Sequence, residues 1–294
     1  MSTREIAAPP ASAPSVTAPR RRQRVLSRPG AILTSLIMIP LAVLVGLPFY
    51  YLVVNTLKTQ AETTASPLAL PSTFNLDNYI EVFTEVPVAQ AFVNTLYVTV
   101  ASILLMLLVG SMAAFSVIMR TSRLMVVLLV IAFLVPGQVT LIPLYRLLSD
   151  ARLVDTLEGL IILYSAGAVF CYFLIVGYMR TLPGEVIEAA RIDGAGPWQI
   201  YWRIALPLIR PILVTVGVFQ TMWVWNDFLL PVVFISSTEK QTLVLQTYKA
   251  VGEFSTDWPM FLTLSVIVLI PMVIFFIAMQ RHIVRGLIAG SVKG

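Results

Sequence analysis

Six stretches of this chain contain no Asp, Glu, Lys or Arg: 29–57, 86–119, 124–145, 159–179, 211–226 and 258–280. A helix needs about 20 mostly apolar residues to cross the hydrocarbon core of a bilayer, and five of the six stretches reach that length unaided. The fifth in order is shorter. It is preceded by the apolar Ile204–Ile209 and continues through Phe228–Pro231. The chain is therefore expected to be an all-α polytopic membrane protein with six transmembrane helices, at about 31–54, 91–119, 124–144, 159–179, 208–230 and 259–280. Composition agrees. Charged residues make up 12% and hydrophobic residues 58% of the chain, with a mean hydropathy of +0.87, where a soluble domain carries about a quarter charged residues.

Orientation follows from Lys and Arg in the flanking segments, which are retained on the cytoplasmic side. With the N-terminus inside, segments 1–28, 120–123, 180–210 and 281–294 hold 15 basic residues. Segments 58–85, 146–158 and 227–257 hold 5. Both termini and the loop after the fourth span are then cytoplasmic (N-in, C-in). The net charge of +5 is accounted for by topology, and it gives no reason to expect nucleic acid as a partner. Residues 1–29 are rich in Pro, Ala and Ser and are expected to form a disordered basic tail. Its cluster Arg20-Arg21-Arg22-Gln23-Arg24 reads either as a stop-and-orient signal or as a contact for anionic membrane lipid. No cleavable signal peptide is expected, because the first apolar run exceeds an h-region. Cys171, the single cysteine, cannot form an internal disulfide and reads as a small packing residue.

The loop 181–207 carries the most specific pattern. Pro183-Gly184 makes a turn, and Glu185–Ile192 can form about two helical turns with acids near the positive N-terminal end. Ala189 and Ala190 would let another protein surface approach the backbone closely. Asp193-Gly194 would stop the helix, since Gly tolerates the left-handed cap conformation. Gly196-Pro197 then opens a second helix, in which Ile200, Ile204 and Leu208 form an i, i+4, i+8 apolar stripe beside Trp198 and Trp202. Amphipathicity of this kind also suits a helix lying in the membrane interface.

The spacing distinguishes the two readings. Glu188-Ala189-Ala190, three residues, Gly194, nine residues, then Ile204-x-Leu206-Pro207 resembles the cytoplasmic loop signature of the membrane subunits of bacterial ABC importers. Trp225-Asn226-Asp227-Phe228-Leu229-Leu230-Pro231 resembles the end of the fifth helix in carbohydrate-type importer permeases, and the ending from Gln280 to Gly294 resembles their C-terminal tail. Ile288 and Ser291 depart from the commoner Thr and Ala there. The resemblance covers roughly residues 30–294 and is to the second permease of a sugar importer. It implies the importer-permease fold in the bacterial cytoplasmic membrane and no enzymatic activity in this chain. It also implies a heterologous second permease, two ATPase subunits that bind ATP and magnesium, and an extracytoplasmic sugar-binding protein. By the same resemblance, Glu188, Ala189, Ala190, Asp193, Gly194, Ala195, Ile204, Leu206 and Pro207 couple the chain to the ATPase.

Trp223, Trp225, Asn226 and Asp227 are candidate translocation-path residues, because aromatic faces pack on sugar rings and amide or carboxylate groups bond hydroxyls. The other reading is an aromatic belt at the outer interface. No G-x-x-x-x-G-K-[ST] phosphate loop, G-x-S-x-G or H-E-x-x-H occurs, and the one histidine, His282, sits in the tail, which argues against an ATPase or a histidine-based hydrolase. The rival function is an ion-coupled secondary transporter, which generally needs ionisable groups at membrane depth; no acid lies within a span core. An importer for a non-sugar solute such as a glycerol phosphate is the other alternative.

Overall fold

The computed structural model describes residues 28–120, 122–251 and 256–291, with side chains described for all of these but 28–33, 249–250 and 282–291. Residues 1–27 of the expected tail, including its arginine cluster, and the side chain of His282 lie outside these, whereas its last two positions, Arg28 and Pro29, belong to a helix. Two compact units are distinguished, Met1–Pro48 and Phe49–Gly294. In the first, the described part belongs to helix α1 (Arg28–Asn55), which contains Pro40 and Pro48. Its side chains from Leu36 to Leu47 are exposed and almost wholly apolar.

Among the described residues, the regular elements of the second unit are all helices, with one isolated bridge between Val251 and Thr256. Outside the expected spans lie α2 (Gln60–Ala65) and α3 (Asp77–Glu85). The long apolar helix α4 (Val88–Met119) follows, then α5 (Arg123–Leu134), α6 (Leu141–Asp150), α7 (Leu157–Ser165) and α8 (Ala168–Met179). The loop region holds α9 (Glu185–Ile192), α10 (Pro197–Ile200), a π-helical turn Tyr201–Ala205 and α11 (Leu206–Leu208). The chain ends with α12 (Arg210–Trp225), α13 (Leu229–Phe234), α14 (Leu243–Gln246) and α15 (Trp258–Ser291).

Among the described residues, four helical segments are long and apolar enough to cross a membrane, and the number rises to six if each of two bent pairs counts as one span. The bends fall on the expected third and fifth spans. Between Leu134 and Gly137 the axis turns by 88°. Pro136 cannot donate a backbone hydrogen bond, and it drives Val135 into extended geometry (φ −77, ψ 116). The second bend, 73°, lies at Ile209, between Pro197–Leu208 and α12, where Pro211 occupies the first turn of the new helix. Helix α12, which covers most of the expected fifth span, thus starts from a sharp elbow at the end of the loop.

Helix α4 is the central post, packed along α7, α8 and α12. Its crossing with α8 is close because Gly110 has no side chain. A Cβ there would stand 2.7 Å from Cys171 Cβ and 2.9 Å from Ala168 O. Small residues at such crossings let backbones approach where lipid gives no hydrophobic drive. Cys171 is fully buried at this contact, as a packing residue should be. Beside it, Gln220 of α12 donates from Nε2 to Gly167 O at 3.3 Å, serving a carbonyl at the short break between α7 and α8.

Candidate functional site

The loop after α8 is built as a rigid two-helix projection. Helix α9 (Glu185–Ile192) is flanked by Gly184 at its N-cap and Asp193 at its C-cap. Its C-terminus is closed by two bonds, from Gly194 N to Arg191 O and from Ala195 N to Ala190 O, each 3.0 Å. These are the paired bonds of a Schellman motif, which requires a left-handed residue at the position Gly194 fills. Gly194 has φ +80, so glycine is chosen for its backbone. No heavy atom lies within 4 Å of where its Cβ would stand.

The nine coupling candidates divide by direction. Glu188, Ala189, Asp193, Gly194 and Pro207 are exposed, whereas Ala195, Ile204 and Leu206 are half-buried. Ala190 is 7% exposed and belongs to the chain's own core. Of the two alanines, only Ala189 offers a partner a close approach, which corrects the expectation that both do. Neighbouring helix positions point 100° apart, so one of the pair must face the body when the other faces out. Around Ala189 the exposed surface is mixed, with Glu185 and Asp193 one turn to either side and apolar groups between them. Val186, Ile192, Trp198 and Trp202 are exposed, Ile192 at 86% and Trp198 at 65%.

The second helix departs from the expected stripe. Ile200 is fully buried, but Ile204 is half-buried and Leu208 is exposed. The buried positions after Ile200 are Tyr201, Ala205 and Ile209, one residue further along. The π turn causes this shift. Leu206 N reaches back to Tyr201 O, and Pro207 has no N–H to continue the ordinary ladder, so the register slips by one. Tyr201, which opens the π turn, faces α4, where its hydroxyl is 2.8 Å from Ser111 Oγ and its ring is 5.4 Å from that of Phe115.

The four candidate path residues are not one cluster. Trp223 is 48% exposed and meets Tyr164 edge-on, ring centres 5.6 Å apart. Trp225 is buried, set edge-on to Phe92 with ring centres 5.7 Å apart and Nε1 3.4 Å from Val268 O. Two residues apart on a helix means about 200° of rotation, so Trp225 faces the packing between α4 and α15 while Trp223 faces out. Asn226 is exposed and donates to Met222 O at 2.7 Å. Asp227 accepts from Tyr164 OH at 2.7 Å, Leu230 N at 3.1 Å and Leu229 N at 3.3 Å. Its carboxylate thus caps α13 and ties that helix to α7. Among the described residues, no three His, Cys, Asp or Glu side chains are grouped to hold a metal ion.

Comparison with known proteins decides what this architecture belongs to. Residues 106–289 match the family described as the binding-protein-dependent transport system inner membrane component. The chain belongs to this family. The permease is 35% identical over 250 residues to the probable starch degradation products transport system permease protein AmyC of Thermoanaerobacterium thermosulfurigenes, an alignment spanning 84% of this chain and 91% of that protein. It is 32% identical over 253 residues to the melibiose/raffinose/stachyose import permease protein MelC of Bacillus subtilis, with the same coverage. Its fold resembles a chain in the crystal structure of a bacterial ABC transporter involved in the import of the acidic polysaccharide alginate. That match has TM-score 0.72 and 22% identity, over 87% of this chain and 98% of that one. The permease is accordingly a multi-pass inner-membrane component of a transporter.

Several structural partners in the permease carried no local sequence signal. Tyr164 lies 63 positions from Asp227, and Ser111 lies 90 from Tyr201. Asp155 forms a clasp on the expected outer side. Oδ1 accepts from Ser236 N at 3.0 Å and Ser237 N at 2.9 Å, Oδ2 accepts from the Ser237 hydroxyl, and Lys240 pairs with it at 3.5 Å. These donors, the Ser237 hydroxyl first, hold the Asp155 carboxyl well below the ordinary carboxylate range. Asp155 has φ 58, a left-handed conformation that Asp tolerates better than most residues.

Proposed function

We propose that this chain is one of two permeases of an ATP-driven importer that carries a sugar, an oligosaccharide by preference, into the cytoplasm. A binding protein delivers the sugar at the outer face. Two ATPase subunits, holding ATP and magnesium, grip the loop Glu188–Pro207 and rock the helices between outward-open and inward-open states. The observation that carries the reading is the outward face of α9, where Ala189 is exposed between the exposed apolar Val186 and Ile192 while Ala190 is buried in the chain's own core. Exposed apolar patches of this kind mark protein contacts. The sugar assignment is supported by what AmyC and MelC are named for. Trp223, set upright against Tyr164, offers a ring face to a sugar in passage.

The test is purification of the tagged chain from its native membrane, followed by reconstitution. A second permease and an ATPase should co-purify, and hydrolysis of ATP should rise when binding protein loaded with an oligosaccharide is added. Uptake by the isolated chain, driven by a proton or sodium gradient, would replace this reading with the secondary-transporter one.

A further inference from the structure

A groove of about 550 Å³ opens between the end of α4 and the loop helices. We propose that it binds the phosphate headgroup and glycerol region of an anionic phospholipid from the cytoplasmic leaflet.

The two ends of the groove differ in chemistry. One end carries Arg120 and Arg191 with the hydroxyl-bearing Ser116, and no carboxylate lines it. Arg191 turns Nη2 toward Met119, 3.1 Å from Sδ and 3.4 Å from the carbonyl oxygen. That leaves most of the five donors of its guanidinium unused. Among the described residues the one ion pair is Lys240–Asp155, elsewhere in the fold, so both arginines are uncompensated. The other end is walled by Phe115 and Met112. Met112 lies seven residues before Met119 on α4, about 10 Å deeper along the helix at 1.5 Å per residue. Trp198, 65% exposed, stands at the mouth, an amphipathic ring suited to the interfacial layer.

This layout selects the occupant. A free phosphate ester would use only the basic end. An acidic segment of a partner protein, approaching from the cytoplasm, would have no use for an apolar wall running toward membrane depth. An anionic phospholipid uses both. Its phosphate meets the guanidiniums, and its glycerol and first methylenes lie along Phe115 and Met112. Basic pockets between helix ends on this side of a membrane have the chemistry for such headgroups. The inference stands on the groove and the positive-inside orientation, independently of which solute is carried.

The assay is native mass spectrometry of the complete delipidated transporter, titrated with phosphatidylglycerol, with phosphatidylethanolamine of the same acyl chains, and with inorganic phosphate. Phosphatidylglycerol should bind more tightly than phosphatidylethanolamine. The double variant Arg120→Gln/Arg191→Gln should weaken it roughly thirtyfold, the joint effect of two juxtamembrane charges. Arg120→Lys/Arg191→Lys keeps both charges and should stay near the original affinity, which separates loss of charge from loss of fold. Met112→Trp fills the apolar end and should also weaken the lipid while both arginines remain. Equal phosphatidylglycerol binding by the parent and the Gln double variant would overturn the proposal. So would displacement of the lipid by inorganic phosphate at comparable concentration with no effect of Met112→Trp, which would identify a free-phosphate site.

Discussion

Gly194→Asp puts the coupling surface to a quantitative test, because the structure separates its effect on the fold from its effect on a partner. The residue closes α9 at φ +80. Holding an L-residue in that region costs about 1–2 kcal/mol, with Asp at the tolerant end. Nothing lies within 4 Å of the new Cβ, so no packing penalty adds to this. A loss of about 1 kcal/mol is small against the roughly 5–15 kcal/mol of a folded domain. The variant should therefore insert, and pair with its partner permease. Outside the chain the consequence is larger. A carboxylate is placed beside exposed Asp193, on the rim of the surface that the proposed function gives to the ATPase.

Two measurements read the result: capture of the ATPase by the tagged permease, and ATP hydrolysis with and without sugar-loaded binding protein. Capture should weaken by at least about tenfold, equivalent to 1.4 kcal/mol of lost interface, and stimulation of hydrolysis should disappear. Gly194→Ala imposes the backbone cost without charge or bulk, and it should retain most of both. Unchanged sugar uptake and unchanged stimulated hydrolysis in Gly194→Asp would refute the assignment of this loop to coupling.

Three further outcomes are expected. Trp225→Ala should lower stability by about 3–5 kcal/mol, as for large buried aromatics, whereas Trp223→Ala should cost about 0.5–1.5 kcal/mol for its edge contact yet depress sugar uptake; thermal melting beside an uptake assay separates them. Asp155→Asn should flatten the acid limb of stability. Below the unfolded carboxylate pKa of about 3.9 the unfolded chain takes up a proton that the folded clasp refuses, so the parent loses this stabilisation as pH falls further and the Asn variant has none to lose. In a Cys171→Ala background, single cysteines in Lys58–Glu85 should react with an impermeant thiol reagent from outside and a cysteine at Arg191 only from inside; outside labelling at Arg191 would reverse the topology.

The apolar runs were legible because each is a continuous physical requirement of the bilayer, readable one residue at a time. The helix stop at Asp193-Gly194 was legible for a similar reason, since a left-handed cap leaves a local mark. The bends were less so. Pro136 and Pro211 were visible, but their 88° and 73° turns depend on how the following segment packs. The apolar stripe Ile200, Ile204, Leu208 assumed a constant period, and one π turn was enough to replace it with Tyr201, Ala205 and Ile209. Trp223 and Trp225 were grouped by adjacency in sequence when helical rotation sets them on opposed faces. Asp227 drew notice as a polar residue at a span end, but its tie to α7 depends on Tyr164, which no nearby residue announces.

Tyr201 joins these strands, because it opens the π turn that moved the stripe and it is also the loop's contact with α4. Its hydroxyl meets Ser111 Oγ in the body of α4 at 2.8 Å. Ser111 directs its own hydrogen to Leu107 O at 2.5 Å, so Tyr201 is the donor of the pair. A motion imposed on α9 and α10 then reaches α4 through a packed ring and one directed bond. Tyr201→Phe keeps the ring against Phe115 and leaves no unpaired donor, so it should cost about 0.5–1.5 kcal/mol. Ser111→Ala breaks the same bond but strands the buried tyrosine hydroxyl, and it should cost more, about 1–3 kcal/mol. Both variants should capture the ATPase normally, because the surface around Ala189 is untouched, and both should move fewer sugars per ATP hydrolysed. If that ratio is unchanged in both, force reaches the helices by another route, through Ala190 and the elbow at Ile209.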